Sequence, residues 1–145
     1  MKRSLFAGAA LLAAVILPAA VNAQETIKIG VITAFSGQFA DTSAQIDNGI
    51  KLYMKQHGDK VAGKKIEIIR KDTGGPNPDV SKRLAQELVV RDKADILAGF
   101  AQTPEALGAA SVADEAKKFM VVMNAATAVI TEKSPYIVRV SLTLP

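Results

Sequence analysis

Asp95-Ile96-Leu97-Ala98-Gly99 runs into Phe100-Ala101-Gln102-Thr103-Pro104, and Phe119-Met120-Val121-Val122-Met123 runs into Asn124-Ala125-Ala126-Thr127. Each first half is a short unbroken apolar run, the pattern of a strand covered on both faces. Each second half is a small loop that carries a threonine. Helical segments separate the runs, so the strands are expected to be parallel. In open parallel sheets ligands sit beyond the carboxyl ends of the strands, which is where both loops fall.

Working outward, a strand is expected over Thr26 to Ile32, followed by the loop Thr33-Ala34-Phe35-Ser36-Gly37-Gln38-Phe39. A helix then starts near Asp41, Thr42 or Ser43, each a competent N-cap. Ile46, Ile50, Tyr53 and Met54 fall on one of its faces, and His57-Gly58 ends it. Lys65 to Arg70 reads as a second strand, with Ile66, Ile68 and Ile69 apolar. Asp72-Thr73-Gly74-Gly75-Pro76-Asn77-Pro78 is a turn cluster in which Asn77 caps a helix beginning at Pro78. That helix buries Val80, Leu84 and Leu88. Thr103-Pro104-Glu105 opens a third helix, with Leu107, Ala110 and Ala113 inward. A last strand is expected over Tyr136 to Val140. The order βαβαβαβ and then β gives an α/β fold, a three-layer αβα sandwich with a parallel sheet and right-handed crossovers.

The amino terminus reads as a signal peptide. Lys2 and Arg3 precede a charge-free stretch from Leu5 to Leu17, and Val21-Asn22-Ala23 supplies small residues at the two positions a signal peptidase reads. Cleavage is expected after Ala23, and the apolar stretch is shorter than a membrane span requires. Residues 1–23 are then leader and 24–145 one domain. The chain stops on Ser141-Leu142-Thr143-Leu144-Pro145, just after an apolar stretch, so a longer protein is expected. Of 18 basic residues, Lys2 and Arg3 belong to the leader, leaving 16 against 14 acidic ones. A net charge of +2 is no footprint for nucleic acid.

Catalytic chemistry finds little support. One His and no Cys cannot build a zinc or Cys–His constellation, and His57 is expected to close a helix. No metal or other cofactor is implied. Ser36-Gly37-Gln38 is a single-glycine turn, no Walker motif exists, and Gly74-Gly75 follows a strand without opening a glycine-rich helix start. Asp72 is read as a turn-maker rather than a ligand contact. Asp114 and Glu115 fall on a solvated face beside Lys117 and Lys118. Thr103 allows two readings. In one its hydroxyl caps its own helix; in the other it binds an anion lying over the helix N-terminus, where unpaired N–H groups and the positive dipole end converge. Phe100 and Phe39 either wall a pocket or fill the core.

The secretory start, Ile29-Gly30-Val31-Ile32 leading to Phe35-Ser36-Gly37, Asn48-Gly49-Ile50, Asp72 with Pro76 and Pro78, Asp95-Ile96-Leu97-Ala98-Gly99 and Ala125-Ala126-Thr127 together resemble one family. It is the leucine/isoleucine/valine-binding, or type I, class of periplasmic solute-binding protein of ABC transporters. The resemblance covers all of 24–145 and rests on the ordered set rather than on any single motif. It implies that this chain is the first of two lobes joined by a hinge, with the second lobe absent. It also implies a small carboxylate-bearing ligand, a branched-chain or other amino acid or an aromatic or organic acid, and a membrane permease as partner. The carboxylate-holding positions correspond to Ala101, Gln102, Thr103, Ala125 and Thr127, with a contribution near Thr42. Ala101-Gln102-Thr103 replaces a serine cluster common in the family, and an aromatic some members carry near Thr42 is absent. The stretches 72–78 and 98–100 look more like members that take aromatic carboxylates. The resemblance implies a periplasmic protein that is not an enzyme. A ligand-sensing receptor or regulator module of the same fold is the alternative.

Overall fold

The computed structural model describes residues 25–144 of the chain. The expected leader and its cleavage site lie outside the described residues. β1 (Thr26–Thr33) is the centre from which the sheet grows, and α1 (Ala40–His57) follows it. β2 (Lys60–Val61) and β3 (Lys64–Asp72) come next, then α2 (Pro78–Val90) and β4 (Ile96–Gly99). α3 (Thr103–Glu115), β5 (Phe119–Val122), a short α4 (Val129–Glu132) and β6 (Ile137–Arg139) complete the order. The six strands lie in the order β2-β3-β1-β4-β5-β6. All neighbours are parallel except β2 and β3, so the α/β architecture expected from the sequence is the one observed.

The antiparallel hairpin of β2 and β3 was not foreseen. Ala62 and Gly63, both at positive φ, form its two-residue turn, which suits the twist of an antiparallel pair. Its first strand has only two residues, too few to show an alternating pattern.

Register sorts the side chains onto two faces. Ile32, Leu97, Met120, Val122 and Ile137 point toward α2 and α3, where they meet Leu84, Ala85, Leu88, Ala106, Ala109 and Ala113 in one buried core. Gly108 permits this packing, because a Cβ there would lie 2.1 Å from the Pro78 carbonyl oxygen. Asn77 caps α2 as expected, accepting from the N–H groups of Asp79 and Val80 at 3.1 Å each. Leu107, expected inward, is exposed. Ala106, Ala109, Ala110 and Ala113 fill the middle of the inner face of α3, with Glu105 and Val112 toward its ends, and the bulkier Leu107 turns outward.

Of the two strands expected to be covered on both faces, β4 is, whereas on the opposite face of β5 Phe119 is exposed and Val121 only partly buried. Among the described helices α1 alone lies on that face of the sheet. Ser43 and Asp47 fix its first half: the Ser43 hydroxyl bonds the Thr33 hydroxyl at 2.8 Å, and Arg70 donates to Asp47 at 2.6 Å. The helix begins at Ala40, earlier than its expected polar caps, with no side-chain cap from Phe39. Ser43 is already inside the helix and faces the sheet. From Gln45 to Met54 the contact of α1 with the sheet is open. A groove of about 480 Å³ opens there against Ile29, Ile66 and Ile68, with Ile46, Ile50 and Met54 on its helix side.

Candidate functional site

The site is built at the carboxyl ends of β1, β3, β4 and β5. β4 ends in a sharp change of direction. Gly99 takes φ +105°, where an added Cβ would lie 2.4 Å from the Ile32 carbonyl oxygen. Phe100 follows at φ +60°, a left-handed conformation that costs a non-glycine residue about 1–2 kcal/mol. Its ring is fully buried and offsets this cost, which settles Phe100 as a core residue. Its N–H bonds the Ile32 carbonyl at 2.7 Å, and its carbonyl accepts from the Ala125 N–H at 3.0 Å. The kink thus aims residues 101–103 across the sheet end toward the loop after β5.

Thr103 and Thr127 meet there, their hydroxyls 2.8 Å apart and hydrogen bonded to each other. The structure excludes the capping role for Thr103. α3 is preceded by Gln102, and Thr103 already stands inside the helix. One hydroxyl donates to the other, so the pair keeps one proton and several lone pairs for a guest. The side-chain amide of Asn124 donates to the Ala101 carbonyl at 2.9 Å, locking the two loops together beneath the pair. Ala101 and Ala125 are buried, and Gln102 is partly exposed. Arg139 donates to the Thr127 carbonyl at 2.7 Å and so braces the far side. Thr42 lies in the first turn of α1, partly buried. No hydrogen bond joins it to the threonine pair among the described residues.

Two carboxylates hold the remaining loops. Asp72 accepts from the N–H of Ser36 at 3.2 Å and of Gly74 at 2.8 Å, tying the loop after β1 to the loop after β3. Burial would raise its carboxyl, but the Ser36 hydroxyl and the backbone N–H groups of Gly74, Ser36 and Phe35 hold it below the ordinary value. The turn-making role read from the sequence is the one observed. Glu105 was not singled out. It is fully buried and accepts from the Thr73 hydroxyl at 2.6 Å and the Gln102 N–H at 3.0 Å. Burial pushes its carboxyl up, against the pull of Thr73 and of the N–H groups of Gln102, Ala101 and Ala34. Its signal in the sequence was a Glu three residues after the N-cap, the second half of a capping box. The capping residue is Gln102 rather than a Ser or Thr, which hid the pattern.

Chemically, the arrangement offers hydroxyls and a helix N-terminus to an acceptor-rich guest. Among the described residues no three His, Cys, Asp or Glu side chains gather to hold a metal ion.

The comparisons with known proteins agree with this architecture. The family model described as periplasmic binding protein matches residues 26–143. Leu/Ile/Val-binding protein homolog 6 of Brucella abortus (strain 2308) is 43% identical over 127 residues, 88% of this chain and 33% of its own. Among solved structures, a solute-binding protein of an ABC transporter from Rhodopseudomonas palustris BisB5, in complex with 3,4-dihydroxybenzoic acid, is 58% identical. It superimposes with a TM-score of 0.79 over 81% of this chain and 32% of its own. An R. palustris solute-binding protein in complex with 4-hydroxybenzoate is 49% identical, with a TM-score of 0.79 over 82% of this chain and 32% of its own. The chain belongs to the periplasmic binding protein family, and its fold is that of a type I member. It spans about a third of the length of these relatives.

Proposed function

We propose that this chain is the first lobe of the periplasmic solute-binding component of an ABC importer, and that its ligand is an aromatic carboxylate of the hydroxybenzoate kind. The observation that carries the reading is the Thr103–Thr127 hydroxyl pair. It joins the ends of β4 and β5 at the start of α3, where a carboxylate meets donors and a positive dipole end together. The relatives bound to dihydroxybenzoic acid and hydroxybenzoate, at 58% and 49% identity, support the aromatic class. In this reading the carboxylate lies over Ala101, Gln102 and Thr103 on one side and Ala125 and Thr127 on the other, with Thr42 at the rim. A second lobe closes over the ring. Differential affinity for the closed form drives closure, and the closed form presents the surface a permease recognises. The leader read at residues 1–23 directs export.

Thr103→Val and Thr127→Val, made in the complete reading frame that carries this lobe, test the reading. Each keeps the shape and removes a hydroxyl. Affinity for 4-hydroxybenzoate, measured by calorimetry, is expected to fall by about 1.5–3 kcal/mol per site, the range for hydrogen bonds to a charged group. The double variant is expected to lose less than the sum, because the two hydroxyls act as one unit. Melting temperature should move little, since Thr103 caps nothing. Variants that bind benzoate, 4-hydroxybenzoate, 3,4-dihydroxybenzoate and leucine as tightly as the parent would show the site to be elsewhere.

A further inference from the structure

Glu105 stands on α3, yet its bonds run to three other segments. Thr73 reaches it from the loop after β3, and Gln102 from the loop after β4. Backbone N–H groups of Ala101 and Ala34 act on it as well, the latter from the loop after β1. Ser81 of α2 donates to its carbonyl oxygen at 2.7 Å, so the residue is held from below while its carboxylate gathers the loops above. Glu and Asp are almost never fully buried unless paired, and no cation is among these partners. An ionised carboxylate accepts through two oxygens and donates nothing. A glutamine of the same shape turns two donor protons toward a site already filled with donors.

We infer that Glu105 is the positioning residue of the ligand site. It touches no ligand and sets the spacing of the three loops that frame one, fixing Ala101 and Gln102 so that Thr103 points at Thr127. This inference rests on the functional reading above. It adds that affinity depends on a buried acceptor two residues beyond Thr103 in the first turn of α3.

The test compares Glu105→Gln and Glu105→Asp with the parent in the complete reading frame. Three readouts are taken: affinity for 4-hydroxybenzoate, melting temperature, and the amide proton shifts of Ala34, Ala101 and Gln102 without ligand. Glu105→Gln is expected to lose at least tenfold in affinity while remaining folded, and to move those three amide signals upfield as the carboxyl acceptor is replaced by an amide. Glu105→Asp, shorter by one methylene, should show a smaller loss and smaller shifts. It also serves if the glutamine variant does not fold. A folded variant with unchanged affinity, or with the three amide signals in place, overturns the inference. Failure of the threonine reading looks different. There, Thr103→Val and Thr127→Val bind as the parent does, while Glu105→Gln still shifts the amides and weakens binding.

Discussion

The two faces of the sheet are made from the same strands and have been treated differently. Toward α2 and α3, Leu88, Leu97, Met120 and Val122 are wholly buried. Toward α1, Ile29, Ile66 and Ile68 are only partly buried and line an open groove. Even neighbouring charges divide this way. Arg70 pairs with Asp47 of α1, whereas Lys71 pairs with Glu87 of α2 and with Asp92. The helix pair holds its face by packing, and α1 holds its own by polar bonds at one end. Cooperative stability therefore resides on the α2/α3 side, and the α1 side is the first to loosen.

The widest separation between the faces should come from matched truncations. Leu88→Ala removes a side chain from the closed face and is expected to cost about 2–5 kcal/mol in urea unfolding. Ile50→Ala removes one that borders the open groove and should cost about 1 kcal/mol or less. Equal losses would break the comparison. A somewhat smaller effect is expected at Gly108. The Cβ of Gly108→Ala would press on the Pro78 backbone, and prying α2 from α3 should cost about 1–3 kcal/mol. Near-parental stability there would mean that the helices slide apart freely.

Smallest is the polar anchor of α1. Burial raises the Asp47 carboxyl, and hydrogen bonds from Lys51 and Arg70 outweigh it and hold it below its ordinary value. A carboxyl lowered on folding adds stability above its unfolded pKa and loses it as pH falls through the folded one. Asp47→Asn should therefore cost about 1 kcal/mol at neutral pH, screened because its partners are exposed. It should also flatten the acid slope of the urea midpoint below about pH 4. Glu105 carries the opposite sign. With its carboxyl raised, its contribution is full below the unfolded pKa and fades as pH rises through the folded one. An unaltered slope in Asp47→Asn would show that α1 is held by something other than its ion pairs.

Much of this was legible beforehand. Apolar runs marked β1, β3, β4 and β5, and Asn77-Pro78 announced α2 because both residue types have one favoured place at a helix start. Residues 101–103 and 125–127 were read as facing loops, and the structure brings Thr103 and Thr127 into contact. Thr42 gained no such link. The misses have physical causes. An unbroken apolar run says that a strand avoids water on both sides, and it says nothing about which segment covers each side. Leu107 misled because helical spacing alone ignores how closely α2 approaches. Ser43 was one of three candidate caps with Asp41 and Thr42, since small polar residues favour a helix start, and here it met the Thr33 hydroxyl instead. Glu105 escaped notice because burial of a lone acid is the exception.

The short hairpin strand β2 has a consequence of its own. A sheet with bare margins recruits further strands, from itself or from neighbours. On one margin the β2 strand is two residues long and exposed, and Lys60 sits in it, with Lys64 and Lys65 across from it in β3. Brevity and repeated positive charge make that margin a poor template. The other margin is β6, where Ile137 is buried and Val138 is half exposed. That strand is itself only three residues long and ends on Arg139, so brevity and positive charge blunt both margins of the sheet.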